Sequence, residues 1–225
     1  RGEGFATGGL SVIDATAVSF GGESFVSNST LGFYAQEELS FGDRLYLTAG
    51  LRVDDNSAFG SNFSWVQYPK LAASYVLSEE PWFNLGFLNT VKLRAAYGES
   101  GQQPATNSAL RTYVAVTGGD GGSGVTPGSL GNPDLKPERG KEVEVGFDAS
   151  ALADRLSFEF SAYRRNTEDA ILSAPVAPST GFAGSRFTNI GLLRTQGVEL
   201  QTRATPIQTE RVGLEVTLNV SRNTN

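Results

Sequence analysis

The sequence predicts an all-β chain: an antiparallel up-and-down meander of about eight long strands that crosses a membrane. Three observations predict it. Apolar and polar residues alternate over one stretch after another; Val212, Leu214, Val216, Leu218 and Val220 interleave strictly with Arg211, Gly213, Glu215, Thr217 and Asn219. These stretches reach the ~9–11 residues that a tilted strand needs to cross a bilayer, against ~5–6 in most globular sheets. Short connections alternate with long ones, as periplasmic turns alternate with extracellular loops in membrane barrels.

In chain order, residues 1–28 are rich in Gly, Ser and Thr and read as a loop segment with one short strand near 15–20. The barrel segment covers 29–225. Its first strand is 30–41, turned by Gly42-Asp43 into the second, 44–54. The third is 64–77 and the fourth 91–98, where Val91, Leu93, Ala95 and Tyr97 oppose Lys92, Arg94 and Ala96. Residues 99–140 lack any period and contain the glycine-rich run 118–124, so they read as a long loop.

The stretch 132–166 is the clearest unit. Pro133 and Pro137 fix φ and push the residue before each into extended geometry, which excludes helix. Val143, Val145, Phe147, Ala149 and Ala151 then face one way, and Glu144, Gly146, Asp148 and Ser150 the other. Ala153-Asp154-Arg155 reverses the chain, and Leu156, Phe158, Phe160 and Ala162 repeat the pattern against Ser157, Glu159, Ser161 and Tyr163. Residues 167–189, with Pro175 and Pro178, read as another long loop, and 195–205 and 211–221 as the last two strands.

A soluble sandwich and a membrane barrel share this alternation. The connections separate them, because a sandwich has no reason to place long loops after every second strand. Trp65, Trp82, Phe83 and Tyr97 stand near strand ends, where girdle aromatics belong, although ordinary hydrophobic anchoring explains them as well. Glu37 resists the pattern: it shares a face with Leu31, Phe33, Ala35, Leu39 and Phe41, which calls for a bulge near Gln36-Glu37-Glu38 or a different reading of that strand.

Composition narrows the function. The 225 residues include no Cys and no His, which removes disulfides, thiolate metal sites and imidazole chemistry. No apolar run is long enough for a transmembrane helix, and a formal net charge of −6 argues against nucleic acid as a partner. With Arg1 first and no Met, the chain reads as a piece of a longer one. The adjacent acids Asp54-Asp55 and Glu79-Glu80 point to opposite faces of an extended chain and so do not form a glycosidase pair. The glycine run lacks the Lys-Ser/Thr of a phosphate loop. No nucleophile–base pair, metal or cofactor is expected, and the chain does not read as an enzyme.

What remains is a row of charges on the polar faces: Arg52, Lys92, Arg94, Glu144, Asp148, Glu159, Arg203 and Glu215. They read either as a lumenal path for a polar solute or as a solvated wall whose opposite charges pair across strands. Arg111, Tyr113, Arg186 and Phe187 fall in the expected loops and are candidate ligand contacts.

The residues Asn132-Pro133-Asp134-Leu135-Lys136-Pro137-Glu138-Arg139, leading into an alternating strand, resemble the barrel signature of TonB-dependent outer-membrane receptors. Four further stretches carry the likeness: Leu51-Arg52-Val53-Asp54 with Phe59-Gly60; Tyr68-Pro69-Lys70-Leu71-Ala72-Ala73-Ser74-Tyr75 with Ser78-Glu79-Glu80; Val91 to Gly101; and Asn189-Ile190-Gly191 with Gln196-Gly197-Val198-Glu199-Leu200. Their order resembles the SusC/RagA-type branch over roughly residues 30–222. The resemblance implies a 22-stranded barrel in the bacterial outer membrane, closed by a plug, with import driven through a TonB complex and with a SusD-like surface lipoprotein as partner. Its substrates are scarce nutrients such as oligosaccharides, peptides or metal chelates. This chain, without plug or TonB box, is then expected to be an open, curved segment of that larger barrel, with outer-membrane lipid against its apolar face.

Overall fold

The computed structural model describes residues 2–5, 16–19, 26–117 and 123–225. Two short strands, β1 (Gly2–Phe5) and β2 (Thr16–Ser19), pair antiparallel; β2 lies where the sequence places a short strand near 15–20, and β1 is its unforeseen partner. The main sheet is built from β3 (Thr30–Phe41), β4 (Leu45–Asn56), β5 (Val66–Val76), β6 (Leu88–Gln102), β9 (Glu138–Ala151), β10 (Leu156–Pro175), β11 (Ser185–Gln208) and β12 (Gly213–Thr224). A separate hairpin of β7 (Tyr113–Thr117) and β8 (Ser123–Pro127) lies between β6 and β9 in sequence.

Every neighbour in the main sheet is also the next main-sheet strand in the chain, and every pairing is antiparallel. The order runs from β12 at one edge to β3 at the other, so the sheet is open and its two edge strands pair on one side only. The expected meander and open segment are what the fold contains. Its only helical pieces among the described residues are single 3-10 turns at Leu77–Glu79 and Pro178–Thr180.

Three expectations need correction. The stretch 167–189 is mostly strand: β10 continues to Pro175 and β11 begins at Ser185, leaving a short connection at 176–184. The stretch 99–140 contains the β7–β8 hairpin, while the glycine run falls outside the described residues at 118–122. No bulge interrupts β3. Glu37 pairs with Ala49 in unbroken register, so a carboxylate stands on the apolar face.

That apolar face is uncovered. Phe33 is 62% exposed, Leu218 59% and Val220 54%, far from the burial that a sandwich core imposes. The face is a band bounded by polar residues, and the ladder register shows how the strands cross it. One row runs Ala49, Leu71, Tyr97, Val143, Arg164, Gln196, Thr224 across β4 to β12. It starts inside the band and ends above it. The band therefore climbs across the sheet obliquely, as it must when strands tilt to the membrane normal. At about 3.3 Å per residue and a tilt of roughly 40°, the apolar run on β9 stands about 20 Å tall and that on β3 about 25 Å, the height of a barrel's lipid belt. Trp65 stacks on Phe33 at 5.9 Å and Trp82 meets Phe83 edge-on at 6.3 Å, one pair near each end of the band.

The buried residues lie elsewhere, at the long-loop end. Leu135 is wholly buried, and Phe59, Val66 and Tyr68 form a small cluster with Phe63 against it. The proline-bounded segment is a clasp there. Gly60 N–H donates to the Leu135 carbonyl at 2.8 Å, and Asn62 N–H to the Pro133 carbonyl at 3.0 Å. A Cβ on Gly60 would stand 2.1 Å from the Pro133 carbonyl oxygen, so this approach requires glycine. Asn132 Nδ2 donates to the Phe187 carbonyl at 2.9 Å on the other side. The β4–β5 loop, the β6–β9 connection and β11 are thereby tied together at one end, the arrangement expected of extracellular loops.

Candidate functional site

The polar face opposite the band carries the candidate charges, and register brings several of them together. Lys92 on β6 lies directly across from Asp148 on β9 and pairs with it at 3.0 Å. Arg94, one row along, faces Gly146. With no side chain in its way, Arg94 lies across β9 and reaches Ser161 Oγ on β10 at 2.8 Å. On the way it pairs with Glu144 at 3.2 Å and with Asp148 at 3.2 Å. The Asp148 contact is an ion pair without hydrogen-bond geometry at Nε. Each of these groups is about one third exposed, so water screens the pairs and each contributes only about 0.2–1 kcal/mol.

Arg203 and Glu215 pair at 3.7 Å on β11 and β12, both more than half exposed. Glu159 lines a smaller recess beside Arg94 with Glu199, Gln201 and Asn219. Arg52 bonds the nearly buried Asp54 through Nε at 2.8 Å, and both line a basin of about 1220 Å³ toward the loop end. Tyr34, Tyr68, Lys70, Glu142 and Arg165 are among the residues of its polar wall. Sequence reasoning passed over these five; the tyrosines and Lys70 are legible only once register places them beside Arg52.

The loop candidates divide. Arg111 stands over the Phe182 ring at 5.4 Å and Tyr113 packs on the same ring at 5.9 Å, so these two meet at the β10–β11 connection. Arg186 and Phe187 are not loop residues: they sit on β11, opposite Ala174 and Ser173. The remaining aromatic of that set, Phe182, is buried and had no signal in its own sequence context.

The polar wall offers mixed, spaced charges and hydroxyls to a solute; the Ser161 hydroxyl, for one, lies 3.4 Å from the Glu144 carboxylate beside Arg94. Among the described residues no group of metal-ligating side chains comes together.

The family model described as TonB dependent receptor-like, beta-barrel matches residues 5–224. TonB-dependent receptor P39 of Formosa agariphila is 30% identical over 206 residues, covering 91% of this chain and 20% of that protein. TonB-dependent receptor P26 of the same organism is 30% identical over 198 residues, covering 86% and 20%. Among solved structures, the RagAB peptide importer in its closed-closed state superposes with a TM-score of 0.85 at 23% identity, covering 99% of this chain and 25% of that one. The chain thus spans about one fifth of the length of the curated relatives it matches, and its fold is of the SusC/RagA type that the motif order implied. The chain belongs to the TonB-dependent receptor-like β-barrel family, as a segment of the barrel wall.

Proposed function

We propose that this chain forms part of the wall and cell-surface loops of an outer-membrane importer that takes up a scarce polar nutrient with energy relayed through TonB. One observation carries the reading: a single sheet has an uncovered apolar band on one face and paired charges on the other. The first asks for lipid, and the second for water or a polar plug. A sandwich would need a second sheet over the band, and among the described residues there is none.

The solute is an oligosaccharide, a peptide or a metal chelate, each able to exchange water for the hydroxyls and mixed charges around Arg52, Asp54, Tyr68 and Lys70. A plug seats against the polar wall, and Arg94, Glu144 and Asp148 supply charges of both signs for it. A SusD-like lipoprotein rests on the loop end, which the clasp at Asn132 to Lys136 keeps together.

The test is uptake by cells carrying the full-length protein, with and without TonB, given labelled oligosaccharides, peptides and metal chelates in turn. One class accumulates in a TonB-dependent manner. Equal accumulation of every class in both strains contradicts the proposal.

A further inference from the structure

The outer face carries one feature that lipid contact does not use. Directly above the apolar band, on the long-loop side, four successive strands present a cation: Lys141 on β9, Arg164 on β10, Arg194 on β11 and Arg222 on β12. On each strand the residues below it on that face are apolar or small: Val143 and Val145, Ala162 and Phe160, Val198 and Leu200 beyond Gln196, Val220 and Leu218. The other edge of the band has no such row, ending in Ala151, Leu156, Ala204 and Leu214.

Register draws the three arginines around one residue. Gln196 faces Arg164 on one side and Thr224 on the other; Arg194, two residues along the same strand, is diagonal to Arg164, and Arg222, opposite Val198, is diagonal to Gln196 on its other side. Diagonal neighbours of this kind lie about 7–8 Å apart, within the reach of two long side chains. Lys141 is paired with Glu168 at 2.6 Å. Arg164, Arg194 and Arg222 are exposed, and among the described residues none has a carboxylate within ion-pair distance. Arg164 and Arg194 repel each other at this spacing, and an anion between them, which the Arg222 side chain can approach from beyond Gln196, removes the repulsion.

We propose that Arg164, Arg194 and Arg222, placed around Gln196 at the edge of the apolar band, bind the phosphate of an anionic membrane lipid in the leaflet on the long-loop side. Guanidinium forks match phosphate oxygens in pairs, which the point charge of a lysine does not. The acyl chains of the same molecule lie on Val198, Leu200, Leu218 and Val220 below, and a free phosphate has nothing to place there. Basic clusters at a membrane face recognise anionic headgroups in this way. The inference rests on the outer-membrane reading above, with the long loops outside.

The experiment uses the full-length protein in detergent, given a monophosphorylated glycolipid of the lipid A class or its dephosphorylated form, with bound lipid counted by native mass spectrometry. The wild type retains the phosphorylated lipid and not the other. The combined variant Arg164→Gln, Arg194→Gln and Arg222→Gln loses retention by about 100-fold, the sum of three surface cations at an anionic headgroup. Arg222→Gln alone, which disturbs the sheet least, loses about 5-fold. Equal retention by wild type and variants overturns the site, as does displacement of the lipid by inorganic phosphate at equal concentration. Heat-modifiable gel migration of the same samples reports barrel formation. A folded barrel with unchanged lipid retention sinks this inference alone, whereas a wild type that never migrates as a barrel sinks the outer-membrane reading.

Discussion

Asn189 holds the backbone of Lys136 on both sides of its Cα: its Oδ1 accepts from Lys136 N–H at 2.9 Å, and its Nδ2 donates to the Lys136 carbonyl at 2.9 Å. The same Nδ2 reaches the Asp169 carbonyl at 2.8 Å. One side chain thus stands in for a missing ladder partner and joins the clasp to the upper parts of β10 and β11. Asn189→Ala leaves three backbone groups seeking water and should cost about 1–2 kcal/mol. The cost will show as a lower unfolding temperature in micelles and faster proteolysis of the 128–137 segment. An unchanged nicking rate removes the clasp role.

Gly146 is required by the position of Arg94. A Cβ there would stand 2.4 Å from the Phe160 carbonyl oxygen and 3.1 Å from Arg94 Nε. Gly146→Ala therefore separates β9 from β10 or lifts Arg94 off its partners, at about 1–3 kcal/mol. Denaturant unfolding in lipid measures it, and a neutral result refutes the packing argument.

Glu37 faces the band opposite Ala49, and among the described residues no cation lies within ion-pair distance of it. A carboxylate in lipid is unfavourable, less so than Arg or Lys at the midplane. Glu37→Leu should stabilise the full-length barrel by about 1–2 kcal/mol. Destabilisation instead means that a neighbouring strand or subunit supplies a partner for Glu37.

Topology is open to a protease. Arg111 lies in the connection between β6 and β7, and Arg155 in the short turn between β9 and β10; both are exposed. Trypsin added to intact cells should cut after Arg111 and spare Arg155. Cleavage at Arg155 alone reverses the orientation.

How far the fold was legible follows from the same physics. Strands whose two faces meet different media read clearly. β12 alternates Leu214 and Leu218 with Glu215 and Asn219, as a strand between lipid and water must. Above the band both faces are wet, and nothing forces alternation. There β10 and β11 run on to Pro175 and from Ser185, with register shifts between Thr167 and Ala170 and again at Ile171 that cancel each other but interrupt the alternation of β10 locally. A stretch of that kind looks like loop in sequence. β7 and β8 were missed for a related reason: Val114 and Val116 on one face and Tyr113 and Ala115 on the other leave no period-2 contrast. The Lys92–Asp148 pair was legible as two charges on polar faces. The seating of Arg94 over Gly146 was not, because it depends on which residues register places opposite each other.

The central claim is that one face of this sheet meets lipid and the other water. Since this chain has no cysteine, single substitutions across Leu214 to Ser221 can each carry a spin label in the full-length receptor, any cysteine elsewhere being replaced. Collision with oxygen, which concentrates in lipid, is measured against collision with a water-soluble nickel complex. The account predicts a period of two, with oxygen favoured at 214, 216, 218 and 220 and nickel at 215, 217, 219 and 221. Uniform aqueous accessibility along the strand would contradict it.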